Sequence, residues 1–403
     1  MTGDARAPAG GVTTTGGSSH PDRRSLAVTR PILARHDFVS VAGRYLRVYG
    51  ELRGQPPVDL PAVEPAALHQ RHDALTDSWV AISPARNVRP HTSQPSTATD
   101  AAASGLRPAC PLCPGGPEIP FSYDAAVFDN RFPSLVPDPP LPPPCAEYAP
   151  SLGRCEVVLY TEHHIGSLAT LSPLELARVV AVWRDRTGEL WADPNHRFVM
   201  AFENRGEAVG TTIAHPHGQI YAFDRLPPFI AVRVAALARH RGENGGCLSC
   251  AVVAQDAGSE RVVGDGRSFV VAVPFAPRWP FEVHVRARRH GLRRLTDLEL
   301  DEQHDLAAVL REVVQRYDGL FGFELPYMMV ALEAPEDAPD WHLAFEFLPP
   351  HRTARLKKVR ASVETATGLF INDTLPESNA ARLAAVGVVP REEAPPLIVE
   401  VQR

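Results

Sequence analysis

The stretch His215-Pro216-His217-Gly218-Gln219 sets two imidazoles one residue apart, with a glycine and an amide directly behind them. Glycines at 206, 210 and 218 let the backbone approach a phosphate and aim amide N–H groups at it. A histidine in such a setting attacks phosphorus when its far nitrogen is anchored to an acceptor, because the anchor fixes the tautomer and favours the cationic intermediate. The backbone carbonyl of His215 is the expected anchor. His217 is then the candidate nucleophile, and Gly210, Thr211 and Thr212 of the same segment are candidate substrate contacts.

Four of the six cysteines form two Cys-x-x-Cys pairs, Cys110/Cys113 and Cys247/Cys250. Zinc favours a tetrahedron, and two thiolates with two imidazoles are a standard set. Cys110, Cys113, His164 and His215 supply that set once, and Cys247, Cys250, His290 and His342 supply it again. One such pair can be redox-active or incidental; two, each followed by histidines at matched spacing, point to metal. His163 competes with His164 for the first site, and register favours His164. In the first set four protein ligands leave no open position, so a structural zinc is expected.

Elements of defined period must position these groups. Ser172-Pro173 reads as an N-cap and first helical residue, and Leu176, Val179, Val180, Val182, Trp183 and Leu190 approximate one helical face. Thr296 is the expected cap of a second helix bearing Leu298, Leu300, Leu306, Val309, Leu310, Val313 and Val314. Strand-like runs flank both: 155–161 and 197–203 around the first, 269–273, 281–285 and 327–332 around the second. The two halves thus repeat one order of Cys-x-x-Cys, strand, histidine, capped helix, strand, and a histidine-led aromatic strand. His164 and His215 are 51 residues apart, His290 and His342 are 52. Two residues after His342 stands Ala344, where the first half has His217, so the second half cannot perform the same chemistry.

The expected fold class is α+β, two tandem repeats each made of an antiparallel sheet with packed helices. The expected division is a disordered tail over 1–28, an extension over 29–65, a catalytic repeat over 66–228, a non-catalytic repeat over 229–375 and a C-terminal tail over 376–403. Residues 89–108 and the proline-rich 136–150 read as surface loops.

With 403 residues, 44% of them hydrophobic, the chain can fill a core of that size. A net charge of -6 provides no basic field to hold nucleic acid or anionic membrane. No apolar leader or run of about 18 apolar residues stands out, which implies a cytoplasmic protein with no membrane partner. The only lysines are Lys357 and Lys358.

At His215 to Gln219 the sequence resembles the galactose-1-phosphate uridylyltransferase family, a branch of the histidine-triad superfamily, over about residues 70 to 375. The resemblance implies a histidine-triad-like fold for each repeat, and transfer of UMP between UDP-hexose and hexose 1-phosphate, galactose 1-phosphate by default, through a nucleotidyl-histidine on His217 in a ping-pong scheme. It implies that Gln219 and Asn204 contact phosphate. Arg86 and Arg89 resemble its phosphate- and nucleotide-contacting arginines, and Asn130 and Phe132 fall in its nucleoside-contacting segment. Lys358 would contact the sugar phosphate and Glu364 the sugar hydroxyls, from a loop that reaches the partner's site in a homodimer. Two departures are plain: Ser362-Val363 replaces the glycine or glycine-aromatic pair before that glutamate, and the family's second-repeat His-x-His becomes His342-Leu343-Ala344.

Two other readings use the same residues. A hydrolase or phosphorylase of that superfamily would resolve the adduct with water or inorganic phosphate, but such proteins often carry a third histidine where Gln219 stands. A non-catalytic, zinc-stabilised nucleotide-binding protein would have no use for an intact His217 in a glycine-rich loop.

Overall fold

A computed structural model describes residues 31–54, 59–65, 67–89, 110–145, 147–392 and 397–402. The 1–28 tail and nearly all of the 89–108 loop lie outside the described residues. In chain order the elements are β1 (Ile32–Val39), β2 (Tyr45–Tyr49), β3 (His69–Asp73), β4 (Ser78–Ile82), β5 (Ala125–Asp129), β6 (Tyr148–Ala149) and β7 (Gly153–Leu159). Helix α1 (Pro173–Ala192), β8 (Phe198–Arg205), β9 (His217–Phe223), α2 (Pro228–Asn244) and α3 (Leu248–Ala257) follow. The remainder comprises β10 (Val262–Asp265), β11 (Phe269–Ala272), β12 (Val283–Ala287), α4 (Leu300–Phe321), β13 (Tyr327–Leu332), β14 (Ala344–Leu348), α5 (Ser362–Thr367), α6 (Pro376–Ala384) and β15 (Ile398–Gln402).

Twelve strands form one sheet in the order β10-β11-β12-β14-β13-β8-β9-β7-β5-β2-β1-β15. From the middle outward, β8-β9-β7-β5-β2 and β13-β14-β12-β11-β10 follow the same course. The repeat is therefore real, and its two antiparallel units are fused through the antiparallel β8/β13 pair. The outer end holds a difference from expectation. Residues 376–403 are more than a tail: they contain α6, and β15 pairs in parallel with β1 of the 29–65 extension. Chain ends far apart in sequence close one sheet edge, a non-local pairing that no local pattern signals.

Helix α1 begins where the sequence indicates. The Ser172 side chain accepts from the Glu175 N–H at 3.3 Å, and Glu175 accepts from the Ser172 N–H at 2.8 Å. Leu176, Val179, Val180, Val182, Trp183 and Leu190 are all buried against the sheet, each contributing roughly 1.5–3 kcal/mol relative to exposure. The second helix starts later than its expected cap. Thr296 sits in a short 3-10 turn, and α4 begins after Glu299, whose N–H bonds the Glu302 carboxylate at 2.8 Å. That reciprocal glutamate pair satisfies the first-turn donors better than a lone threonine. Both helices cover one face of the sheet in a core shared by the two repeats. No described helix is long and apolar enough to cross a membrane.

Candidate functional site

Strand β9 alternates in burial, so Gly218, Ile220 and Ala222 turn to the core while His217, Gln219 and Tyr221 turn to the other face. There His217 and Gln219 share a cleft with Arg89, Asn130, Phe132 and Thr212. Its empty space, counted out to open solvent, is about 600 Å³.

His217 meets its expected anchor: Nδ1 lies 2.7 Å from the His215 carbonyl oxygen. That bond puts the proton on Nδ1 and leaves the Nε2 lone pair for attack. Burial lowers the His217 pKa, and the carbonyl bond only partly offsets this, so the ring is neutral and nucleophilic near pH 7. Asn130 Nδ2 donates to Gln219 Oε1 at 3.1 Å, which leaves the Gln219 amide N–H groups to face an anion. Asn130 also accepts from the Phe132 N–H at 2.9 Å, fixing the loop after β5. Arg89 lines the cleft, whereas Arg86, expected as a substrate contact, is not among its lining residues and instead braces Phe132, which is: its guanidinium donates to the Phe132 carbonyl at 3.2 Å and to Ser134 and Tyr221 at 3.3 Å. Gly210 adopts φ +81°, and the Thr211 hydroxyl closes the loop onto the Asn204 carbonyl at 2.5 Å.

The first Cys2His2 set converges, with one ligand atom from each of Cys110, Cys113, His164 and His215 within 4.8 Å of the others. Cys113 Sγ is 3.4 Å from His164 Nδ1 and 3.5 Å from His215 Nδ1. His215 Nε2 bonds the Thr161 carbonyl at 2.8 Å, which orients Nδ1 toward the thiols. Burial, with the Cys110 sulfur beside it, pushes the Cys113 thiol up to about 11, and burial takes His215 down to about 4. Two thiols side by side with two imidazoles suit a divalent cation of the zinc type. The second set converges equally: Cys250 Sγ is 3.5 Å from His290 Nδ1 and 3.4 Å from His342 Nε2. Here the imidazole is reversed, with His342 Nδ1 bonded to the Ala287 carbonyl at 2.9 Å.

Lys358 and Glu364 are not among the residues lining the cleft. They pair with each other at 3.3 Å, both buried, and Lys358 Nζ also bonds the Ile371 carbonyl. Conversely, Pro111, Leu112, Glu118, Val157 and Ile213 line the cleft without having been singled out. Pro111 and Leu112 stand between the two thiols, so the metal loop is itself a wall. The Cys-Pro-Leu-Cys spacing contained that information. Val157 is there because β7 pairs it with Gln219, which only the register reveals.

Two copies of one strand-and-helix unit, with a His-Pro-His strand end in the first alone, define a doubled histidine-triad protein. The profile of the galactose-1-phosphate uridyl transferase N-terminal domain matches residues 61–227, and that of its C-terminal domain matches residues 239–393. Galactose-1-phosphate uridylyltransferase of Thermotoga maritima is 40% identical over 78% of this chain and 96% of its own length. The Haemophilus influenzae enzyme of that name is 32% identical over 81% and 96%. A solved uridylyltransferase structure, 30% identical, superposes with a TM-score of 0.69 over 79% of this chain and 98% of its own. An ADP-glucose phosphorylase from Arabidopsis thaliana, 22% identical with a TM-score of 0.59, shares the fold. The chain belongs to the galactose-1-phosphate uridyl transferase family.

Proposed function

We propose that this protein is a hexose-1-phosphate uridylyltransferase that carries UMP on His217. The observation that carries the reading is the 2.7 Å bond from His217 Nδ1 to the His215 carbonyl beside a Gln219 amide held by Asn130. In the first half-reaction His217 Nε2 attacks the α-phosphorus of UDP-hexose, the phosphorus–oxygen bond to the hexose phosphate breaks, and hexose 1-phosphate leaves. The imidazole, now substituted at Nε2 and still protonated at Nδ1, is cationic, and the His215 carbonyl stabilises it. Gln219, Asn204 and Arg89 balance charge on the phosphate oxygens. A second hexose 1-phosphate then attacks the same phosphorus and frees the histidine. Names of the relatives support uridine and galactose 1-phosphate as the pair.

Cys110, Cys113, His164 and His215 would hold one structural zinc, and Cys247, Cys250, His290 and His342 a second. Zinc supplies rigidity: it fixes the loop that ends in His217 and the Pro111-Leu112 wall. Two thiol pairs that must stay reduced accord with a cytoplasmic location. A homodimer completes the site in this reading. Its support is the run of exposed apolar side chains around the acceptor loop, Leu356, Val359, Val363, Leu369, Ile371 and Leu375, a patch that a monomer rarely leaves bare.

The test is a mass spectrum of intact protein after incubation with UDP-glucose. A gain of one UMP, absent in His217→Ala, is expected. No adduct on active wild-type protein would refute the covalent scheme.

A further inference from the structure

Directly beneath the reactive strand end, on the core side of the sheet, lies a buried polar cluster with no part in the scheme above. Glu203 on β8 is 5% exposed, and Tyr160 and Tyr327 are buried completely or nearly so. Tyr327, from the second repeat, donates its hydroxyl to Glu203 Oε1 at 2.8 Å. The Tyr160 hydroxyl faces the same carboxyl. Neither that hydroxyl nor Glu203 Oε2 has a hydrogen-bond partner among the described residues. Burial raises the Glu203 carboxyl to about 7 despite these contacts, so near neutrality it carries a proton for much of the time and can donate as well as accept.

The Tyr160 ring is wedged edge-on against Trp183 of α1, centroids 5.7 Å apart, and cannot retreat. Its hydroxyl end abuts Gly218, where even a methyl group would collide with it. Gly218 is the link between His217 and Gln219. The height of that link above the core is therefore set by Tyr160, whose hydroxyl faces Glu203, which in turn accepts from Tyr327 across the β8/β13 seam.

We infer that Tyr160, Glu203 and Tyr327 are positioning residues for the transfer step, through which the non-catalytic repeat fixes the place of His217 and Gln219 against the phosphorus. The inference rests on the proposed function. A displacement of about 1 Å at an attacking atom costs on the order of 100-fold in rate, whereas Arg89, Phe132 and Thr212, which line the cleft from other segments, stay in place. Loss of the cluster should therefore appear in the chemical step and spare binding.

Quenched-flow mass spectrometry of UMP transfer from UDP-glucose to the protein measures that step alone. Tyr160→Phe and Tyr327→Phe, which keep the ring volume, should each slow adduct formation by about tenfold or more. The KM for UDP-glucose should stay within about twofold, with metal content unchanged. Glu203→Gln, which still donates and accepts, should retain more rate than Glu203→Leu. The two tyrosine effects should be less than additive in the double variant, because they act through one carboxyl. Adduct formation at the wild-type rate in both phenylalanine variants, or a raised KM with an unchanged rate, would overturn the inference and leave the proposed function standing. Absence of any adduct on the wild type would remove the proposed function and this inference with it. Should Glu203→Leu fail to fold, the two phenylalanine variants decide.

Discussion

Gly218 has no side chain because no space remains for one. An added Cβ would press into the Tyr160 hydroxyl and stand 2.9 Å from the Phe202 carbonyl oxygen. Gly218→Ala should therefore push the strand toward the cleft and lower kcat by about 100-fold or more, with the circular dichroism of the folded protein retained. A fully active alanine variant would mean that β9 can shift without harm. At His217 itself, replacement by alanine removes the bond-forming atom, and the loss in kcat should reach several orders of magnitude. The two sites differ in kind: one removes the nucleophile, the other misplaces it.

At the scale of elements, α1 and the turn before α4 enclose Glu333, which is fully buried and accepts from the Leu295 N–H at 3.0 Å. Burial raises its pKa from 4.5 to about 7, against the opposing pulls of the Leu295 amide, Thr187, Arg294 and Trp191. The native state thus holds a proton that the unfolded chain releases above pH 4.5. Between about 4.5 and 7 stability must fall as pH rises, and above 7 the full cost of an ionised buried carboxylate applies. The 2.5-unit interval corresponds to roughly 3 kcal/mol at most. Glu333→Gln should abolish this component, so the variant's melting temperature should gain on the wild type at pH 8 and lose that advantage at pH 5. An equal difference at both pH values would contradict the assignment. Glu156 behaves in the opposite way. Burial alone would raise it, but Arg186, at 2.8 and 3.0 Å, with Arg47 and Arg154 nearby, holds it down at about 2, so it stays ionised across the same range.

For the whole molecule, the two equivalent strand ends differ in the side chains they carry. On β14 the positions of His217 and Gln219 are held by Ala344 and Glu346. The face they present is filled: Glu346 pairs with Arg233 at 2.6 Å and Arg278 at 2.8 Å, and His284 bonds Glu282 at 2.7 Å. Arg286 pairs with Asp256 in the same layer beneath α3. The carboxylates and His284 are buried, and these charges pair with one another. Both metal sets remain, consistent with a structural role in each repeat. Removal of metal by a chelator should lower the melting temperature and abolish activity together, with about two equivalents of zinc released per chain on the four-ligand arithmetic. Active, fully stable protein without metal would exclude this role. Lys358 and Glu364 lie outside the His217 cleft of their own chain, so Lys358→Ala should raise KM for hexose 1-phosphate. Arg86→Ala, which frees the Phe132 carbonyl that Arg86 braces, should mainly raise KM for UDP-hexose. Initial-rate measurements with both substrates varied should give parallel double-reciprocal lines, and a strictly monomeric active enzyme would contradict the shared site.

The types and spacing of residues singled out His217, the His215 carbonyl that its ring bonds and both sulfur–imidazole sets, because each is fixed by short-range geometry: a strand end, a Cys-x-x-Cys turn, a recurring interval. Helix α1 was legible for the same reason, since its cap and apolar period lie within 20 residues. Three things needed the tertiary structure. The fusion of the repeats through β8 and β13, and of β1 with β15, joins segments more than 100 residues apart, and pairing partners leave no local mark. The polar layer of Tyr160, Glu203 and Tyr327 has no motif, because its members come from β8, β13 and the residue after β7 and meet only when the sheet forms. The separation of Lys358 and Glu364 from the cleft that holds His217 follows from where the second repeat lies in that sheet, and no spacing along the chain encodes a distance through space.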